Sequence, residues 1–410
     1  MLTNFPVPGG RRLAVRLQPR AERAVKRGHP WVYAEGIRQL RHEGQAGDLA
    51  VLFDRDNRFL AIGLYDPALP IRVRVLHRGE PETIDRDWFV GRFAAAYARR
   101  APLLEREDTT GFRIVHGEND GLPGLVVDRY GDCIVVKLYT TAWFPYLNDV
   151  LAGIARLTGI ERVILRLSRA VERQGAGTDL HDGRILRGSP IEGPVLFHEN
   201  GLVFEADLIH GQKTGFFLDQ RDNRARVEER AAGRTVLNVF AYTGGFSVYA
   251  ARGGARSITS LDTSAPALAT AERNFHHNRS IAAVAEAAHR VLTGDAFQLL
   301  PGMHARGDRF DIVVLDPPAF AKAQAEVDRA LASYARVVRM GLDVLASDGL
   351  LVAASCSSRI TADQFRDLVV ETARQAGRSI DVEQQTGHAL DHPIGFPEGT
   401  YLKCIFARVG

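Results

Sequence analysis

The chain has 410 residues, 45% of them apolar and 25% charged, longer than one hydrophobic core usually serves, so two or three domains are expected. This balance excludes a disordered chain, and no apolar run approaches the ~20 residues of a membrane-spanning helix. Cys133, Cys356 and Cys404, the three cysteines, have neither zinc-ligand spacing nor a secreted disulfide pattern, so no metal is expected. The net charge is only +3, yet residues 1–41 hold nine Lys or Arg (Arg11, Arg12, Arg16, Arg20, Arg23, Lys26, Arg27, Arg38, Arg41) against Glu22 and Glu35, leaving the rest of the chain acidic. Such asymmetry suits a phosphate backbone, and an ordinary solvated basic face would look the same. The opening MLTNFPVPGGRR shows no export pattern, so a cytoplasmic protein with no membrane partner is expected.

Residues 11–78 read as short strands broken by Gly and Asp: RLAVRL, HPWVYAEGI, GDLAVLFD, FLAIGLYD and IRVRVLHRG. Close spacing of this kind predicts a small β-barrel over 1–78. Trp31 and Tyr33 follow the basic stretch at Arg27, where aromatics beside arginines can stack bases or simply fill the barrel core.

Residues 79–190 form a mixed α+β region. DRDWFVGRFAAAYARRAPLL (85–104) fits one amphipathic helix, and GLPGLVVDRYGDCIVVKLY (121–139) a hairpin turning at Tyr-Gly-Asp. A second helical stretch lies near 143–157, followed by the strand ERVILRL.

The third region, 191–410, opens with a lead-in hairpin (195–222) whose Asn200-Gly201 is a strong turn signal. From 235 strands TVLNVF, SITSLD, HRVLTGD, FDIVVLD and GLLVAAS alternate with helices near 245–253, 265–277, 324–346 and 361–376. This pattern predicts a mainly parallel α/β sheet. GTYLKCIFARV (399–409) has no helix after it and is expected to pair as an antiparallel edge.

Ligands of such sheets bind beyond the carboxyl ends of the strands. The first strand ends in Phe240, Ala241, Tyr242, Thr243, Gly244 and Gly245, where absent side chains let a ligand approach backbone. Asp262, eighteen residues past Gly244, and Asp295 end the next two strands. The dinucleotide fingerprint is missing, and two carboxylates beside a glycine turn suit the adenosine of S-adenosylmethionine; each Asp can equally cap its following helix. The fourth strand ends in Asp316-Pro317-Pro318-Ala319-Phe320, a stiff turn for a planar substrate on which Phe320 can stack. Cys356 ends the fifth strand among Ser355, Ser357 and Ser358, a polar setting that suits a nucleophilic thiol. Cys133 and Cys404 lie in apolar runs and read as core.

These residues, with HGQKTGFFLDQRDNR (210–224), RGHPWVY (27–33), GENDGLPGLVVDRYGD (117–132) and DHPIGFPEGTYLK (391–403), closely resemble the bacterial 23S ribosomal RNA cytosine-5 methyltransferase family. The resemblance covers nearly the whole chain. It implies an N-terminal PUA β-barrel, a small central α+β domain and a class I methyltransferase domain with a Rossmann-like, mainly parallel seven-stranded sheet. It further implies S-adenosylmethionine as cofactor, 23S ribosomal RNA as partner and Cys356 of the Ser-Cys-Ser motif as nucleophile. Gln220 and Arg221 would then face the methionine end of the cofactor, Gly244 and Asp262 its centre and ribose, Asp295 its adenine, and Asp316 the base edge. Some RNA cytosine-5 methyltransferases carry a second cysteine after the fourth-strand proline. This chain has Pro-Ala-Phe there, so product release does not use that thiol, and the general base is unassigned. An RNA guanine N-methyltransferase using Asp-Pro-Pro, a uracil-methylating enzyme and a non-catalytic RNA-binding or ribosome-assembly protein are the alternatives. A homodimer is left open.

Overall fold

A computed structural model describes residues 5–10, 12–175, 178–321 and 324–410; Arg11 of the basic arm lies outside them. The chain divides into two compact units, one of residues 1–198, 206–216 and 390–399, the other of residues 199–205, 217–389 and 400–410. No helix among the described residues is long and apolar enough to cross a membrane.

The first unit holds two sheets. One is six-stranded, in the order Trp31–Tyr33, Ile71–Arg78, Phe59–Tyr65, Leu49–Phe53, Leu13–Leu17, Ile37–Leu40. Alternation drives it: Leu13, Val15 and Leu17 all point into the core with Leu52 and Val73. The other is five-stranded and ends at Gly111–His116, with Leu125–Tyr130 and Cys133–Leu138 as the expected hairpin. Cys133 is fully buried there.

The helix expected over 85–104 is two helices, Arg86–Ala98 and Ala101–Leu104. Pro102 cannot continue the first one, because its ring lacks a donor and clashes with the preceding turn. Arg100 sits buried at the break and grips Asp120 with two bonds of 2.8 and 2.7 Å.

The chain first passes from one unit to the other in the hairpin Val195–Glu199/Leu202–Ala206, where Asn200 and Gly201 take the expected left-handed turn (φ 50° and 80°).

The second unit is built on a seven-stranded sheet. Its strands are β1 (Thr235–Val239), β2 (Ser257–Asp262), β3 (Ala288–Thr293), β4 (Phe310–Leu315), β5 (Leu345–Ser355), β6 (Ile380–Thr386) and β7 (Lys403–Val409). The helices are α1 (Arg221–Glu228), α2 (Gly245–Arg252), α3 (Ala265–His277), α4 (Ala296–Ala305), α5 (Val327–Asp343) and α6 (Ala362–Gln375), with a short turn of helix at Ala282–Glu286. The sheet order is β3-β2-β1-β4-β5-β7-β6, parallel except for β7. Val236, Leu237, Val313 and Leu351 are buried in the central strands, which are covered on both faces as parallel strands require.

Three expectations change. The 399–409 segment supplies β7, antiparallel as expected, yet it lies between β5 and β6, so the edge is β6. That edge strand, IDVEQQT, is too polar to announce itself. The helix read over 324–346 stops at Asp343, because Leu345 already pairs with Phe310 as the first residue of β5.

Candidate active site

The strand order reverses direction beside β1 and β4, and the carboxyl ends of β1, β2, β4 and β5 carry the residues singled out from the sequence. At the end of β1 the backbone curls tightly. Phe240 and Tyr242 take left-handed φ values of 62° and 47°, and Gly244, at 75°, opens α2. Such a conformation costs non-glycine residues of order 1 kcal/mol each and is kept where a site needs its backbone placed. A Cβ on Gly244 would come within 2.7 Å of the Ala271 Cβ, so glycine also lets α3 approach.

Asp262 holds this loop. One carboxylate oxygen accepts from the Tyr242 amide (2.8 Å) and the other from that of Ser264 (2.9 Å). Asp262 thus orders the loop, while the cap of α3 is Ser264, whose hydroxyl accepts from the Ala267 amide at 3.3 Å. Asp295 caps α4, accepting from the Phe297 amide at 2.9 Å. Thr243 is buried in the same turn, and its hydroxyl has no hydrogen-bond partner among the described residues. A strained glycine turn with an unspent hydroxyl and a strand-end carboxylate fits the adenosyl part of S-adenosylmethionine.

On the substrate side, Pro317 is buried and Pro318 exposed, which leaves Asp316 half-buried at the mouth. Gln220 donates its side-chain amide to Asp316 (3.0 Å), and its own oxygen accepts from Asn223 (2.6 Å). Asn223 in turn accepts from Thr386 on β6 (2.6 Å). Gln220, expected at the cofactor's methionine end, thus also holds the Asp316 carboxylate. Arg221 is almost wholly buried beside it. Phe320 packs edge-on against Tyr334 of α5, centroids 4.7 Å apart, so part of the ring expected to stack on substrate is already engaged.

Cys356 is half-buried just beyond β5, while Cys404, paired with Ala354 one strand over, is fully buried. Ser357 donates to the Ala321 carbonyl (3.1 Å) and fixes the loop after the cysteine. Tyr334 feels both the Cys356 and Asp316 charges, and burial pushes its phenol up to about 12. Burial likewise drives the Cys404 thiol far up, making it inert. Lys403, opposite Ser355 in the β5–β7 ladder, is 1% exposed and electrostatically coupled to Cys356.

Four residues of this site, Asn223, Tyr334, Thr386 and Lys403, were missed from the sequence. Only Asn223, one turn of α1 after Gln220, left a local sign.

Arg27 and Trp31 belong to the other unit. Arg27 is exposed. Trp31 is half-buried, donates to Glu118 (2.8 Å) and packs edge-on against His29, Tyr33 and Phe396, so core packing claims much of its ring.

Residues 167–404 match the family described as S-adenosylmethionine-dependent methyltransferase, and residues 15–78 match a PUA-like domain. A Deinococcus radiodurans protein named ribosomal RNA large subunit methyltransferase is 47% identical over 408 residues, covering 98% of this chain and 99% of that protein. Ribosomal RNA large subunit methyltransferase I of Shewanella amazonensis is 37% identical, covering 97% and 99%. A solved structure described as a methyltransferase complexed with SAH superposes with a TM-score of 0.81 at 23% identity, over 97% of this chain and 99% of that one; at that identity the likeness speaks for the fold. The chain belongs to the S-adenosylmethionine-dependent methyltransferase family, with an N-terminal PUA-like domain and a class I fold.

Proposed function

We propose that the chain methylates C5 of a cytosine in 23S ribosomal RNA through a covalent Cys356–C6 adduct. The observation that carries this reading is the placement of a half-buried thiol at the end of β5, beside the β4 end that presents Asp316. The RNA partner follows from what the relatives' names say they act on.

The C5 carbon of cytosine is a weak nucleophile. Addition of the Cys356 thiolate to C6 forms the S–C6 bond and pushes the ring electrons toward N3 and C5, which makes C5 enamine-like. Asp316, oriented by Gln220, hydrogen-bonds the base edge and favours the proton at N3. S-adenosylmethionine supplies the electrophilic methyl group. Loss of the C5 proton then restores the double bond and expels the Cys356 thiolate. Phe240, Tyr242, Gly244, Asp262 and Asp295 would hold the adenosyl part, with Arg221 toward its methionine end. Pro317, Pro318 and the free edge of Phe320 would border the base. Extruding a stacked base costs about a few kcal/mol, which RNA contacts near Arg27 and Trp31 would offset.

The test is nucleoside mass spectrometry of unmodified 23S RNA incubated with the protein and methyl-labelled S-adenosylmethionine. Label in 5-methylcytidine is expected. Label in a methylguanosine or 5-methyluridine overturns the base assignment, and absence of cofactor binding in a titration favours a non-catalytic RNA-binding protein.

A further inference from the structure

Lys403 is an unusual residue to bury. It begins β7 directly opposite Ser355, one residue before the candidate nucleophile, and its side chain is 1% exposed. Its ammonium donates to the Ser357 and Tyr401 carbonyls, the latter at 2.9 Å. Neither acceptor is charged, and Lys403 forms no ion pair among the described residues. A lysine is almost never buried without a carboxylate partner, because two neutral carbonyls do not replace its hydration. Simple packing would be better served by methionine or leucine.

The titratable groups on the neighbouring elements are Cys356, Tyr334, Tyr401, Asp316, Cys404 and His388, the last of which accepts from the Leu402 amide at 3.1 Å. On β5 and its loop the charge-bearing neighbour is Cys356, whose thiolate favours the ammonium form. Tyr334 of α5 is held neutral by burial. On the chain leading into β7, Tyr401 donates its phenol to Asp219 at 2.8 Å. Asp316, at the end of β4, is engaged by Gln220. Cys404 is fully buried as a neutral thiol.

We infer that Lys403 is the positioning residue that keeps Cys356 ionised, its buried ammonium supplying the positive charge against which the thiol loses its proton. The inference rests on the reading of Cys356 as nucleophile. No atom changes hands at Lys403; it favours the anion that attacks C6 and receives the same anion when the adduct breaks. Burial lowers Lys403 to about 8. The ammonium therefore serves Cys356 through neutral pH, and its help fades as pH climbs past that value.

The readout is the pH profile of Cys356 alkylation by iodoacetamide in the full chain, followed site by site by mass spectrometry. Cys133 and Cys404 are both 0% exposed and will label slowly. Wild type should titrate below the ordinary free-thiol value of ~8.5. Lys403→Met should raise the midpoint by one to two pH units and slow labelling at pH 6.5 by about 10- to 100-fold, whereas Lys403→Arg, which keeps the charge, should stay close to wild type. A merely structural lysine would lower the melting temperature without moving the thiol midpoint. An unchanged midpoint in Lys403→Met overturns the inference. Should that variant not fold, a wild-type midpoint at or above ~8.5 overturns it equally. Retained cytosine methylation by Cys356→Ala would instead sink the nucleophile reading, and the thiol profile is independent of that result.

Discussion

Two buried polar networks leave the same short segment, Gln220–Arg224, and they differ in how they end. Arg224 grips Glu199 with bonds of 2.8 and 2.7 Å, and the Tyr249 hydroxyl donates to the same carboxylate at 3.0 Å. Arg224 and Glu199 are 2% and 0% exposed, so this charge pair closes on itself inside the protein. The other network runs from Thr386 through Asn223 and Gln220 to Asp316, which is half-buried at the end of β4. The first contributes to folding. The second fixes a carboxylate that is still half-exposed, which is how a side chain is held to one geometry.

The contrast can be broken from either side, and the largest effect should come from Cys356, which belongs to neither network. Cys356→Ala should cut turnover by about 10⁴-fold or more, as loss of a covalent nucleophile does, with unchanged S-adenosylmethionine binding by calorimetry. Glu199→Ala should do the opposite. It strands the Arg224 charge in the interior and should cost about 3–5 kcal/mol of stability, read by denaturant unfolding. Asp316→Asn should leave the unfolding midpoint alone and lower kcat by about 10²- to 10³-fold, the range for one well-placed polar group at a developing charge. Asn223→Leu should lower kcat by about tenfold, because it unties Gln220 without touching substrate; a loss as large as that of Asp316→Asn would mean that Asn223 itself contacts the base.

The smallest effect concerns Lys403. Its proton is bound less tightly in the folded chain (about 8) than at the ordinary lysine value of 10.5. The unfolded chain therefore holds more protons between those values, and the penalty for burying Lys403 is relieved as pH rises through that window. The melting temperature of Lys403→Met relative to wild type should accordingly fall from pH 7 to pH 10.5. A difference independent of pH would show that Lys403 keeps its ordinary value in the folded chain.

Much of the site was legible because its parts lie at strand ends, where local sequence marks both the apolar strand and the polar turn that closes it. Gly244, Asp316-Pro317-Pro318 and Ser355-Cys356-Ser357 each come directly after an apolar run, and the polar flanks of Cys356 separated it from Cys404, which lies inside one. The partnerships were not legible. Gln220 and Asp316 lie 96 residues apart, and Lys403 meets Ser355 only through an antiparallel register between β5 and β7 that no local pattern specifies. β6 escaped notice because its residues alternate between half-buried and exposed without an apolar face. The break at Arg100 had a local cause in Pro102, outweighed by the apolar spacing on both sides.

The covalent step can be observed directly. RNA carrying 5-fluorocytidine, incubated with the protein and S-adenosylmethionine, cannot lose fluorine as a proton is lost and so should arrest the adduct. The expected result is a protein–RNA species stable to denaturation, mapped by mass spectrometry to Cys356 and absent from Cys356→Ala. Methylation of ordinary cytidine with no trapped species, or trapping at another residue, would contradict a covalent role for Cys356.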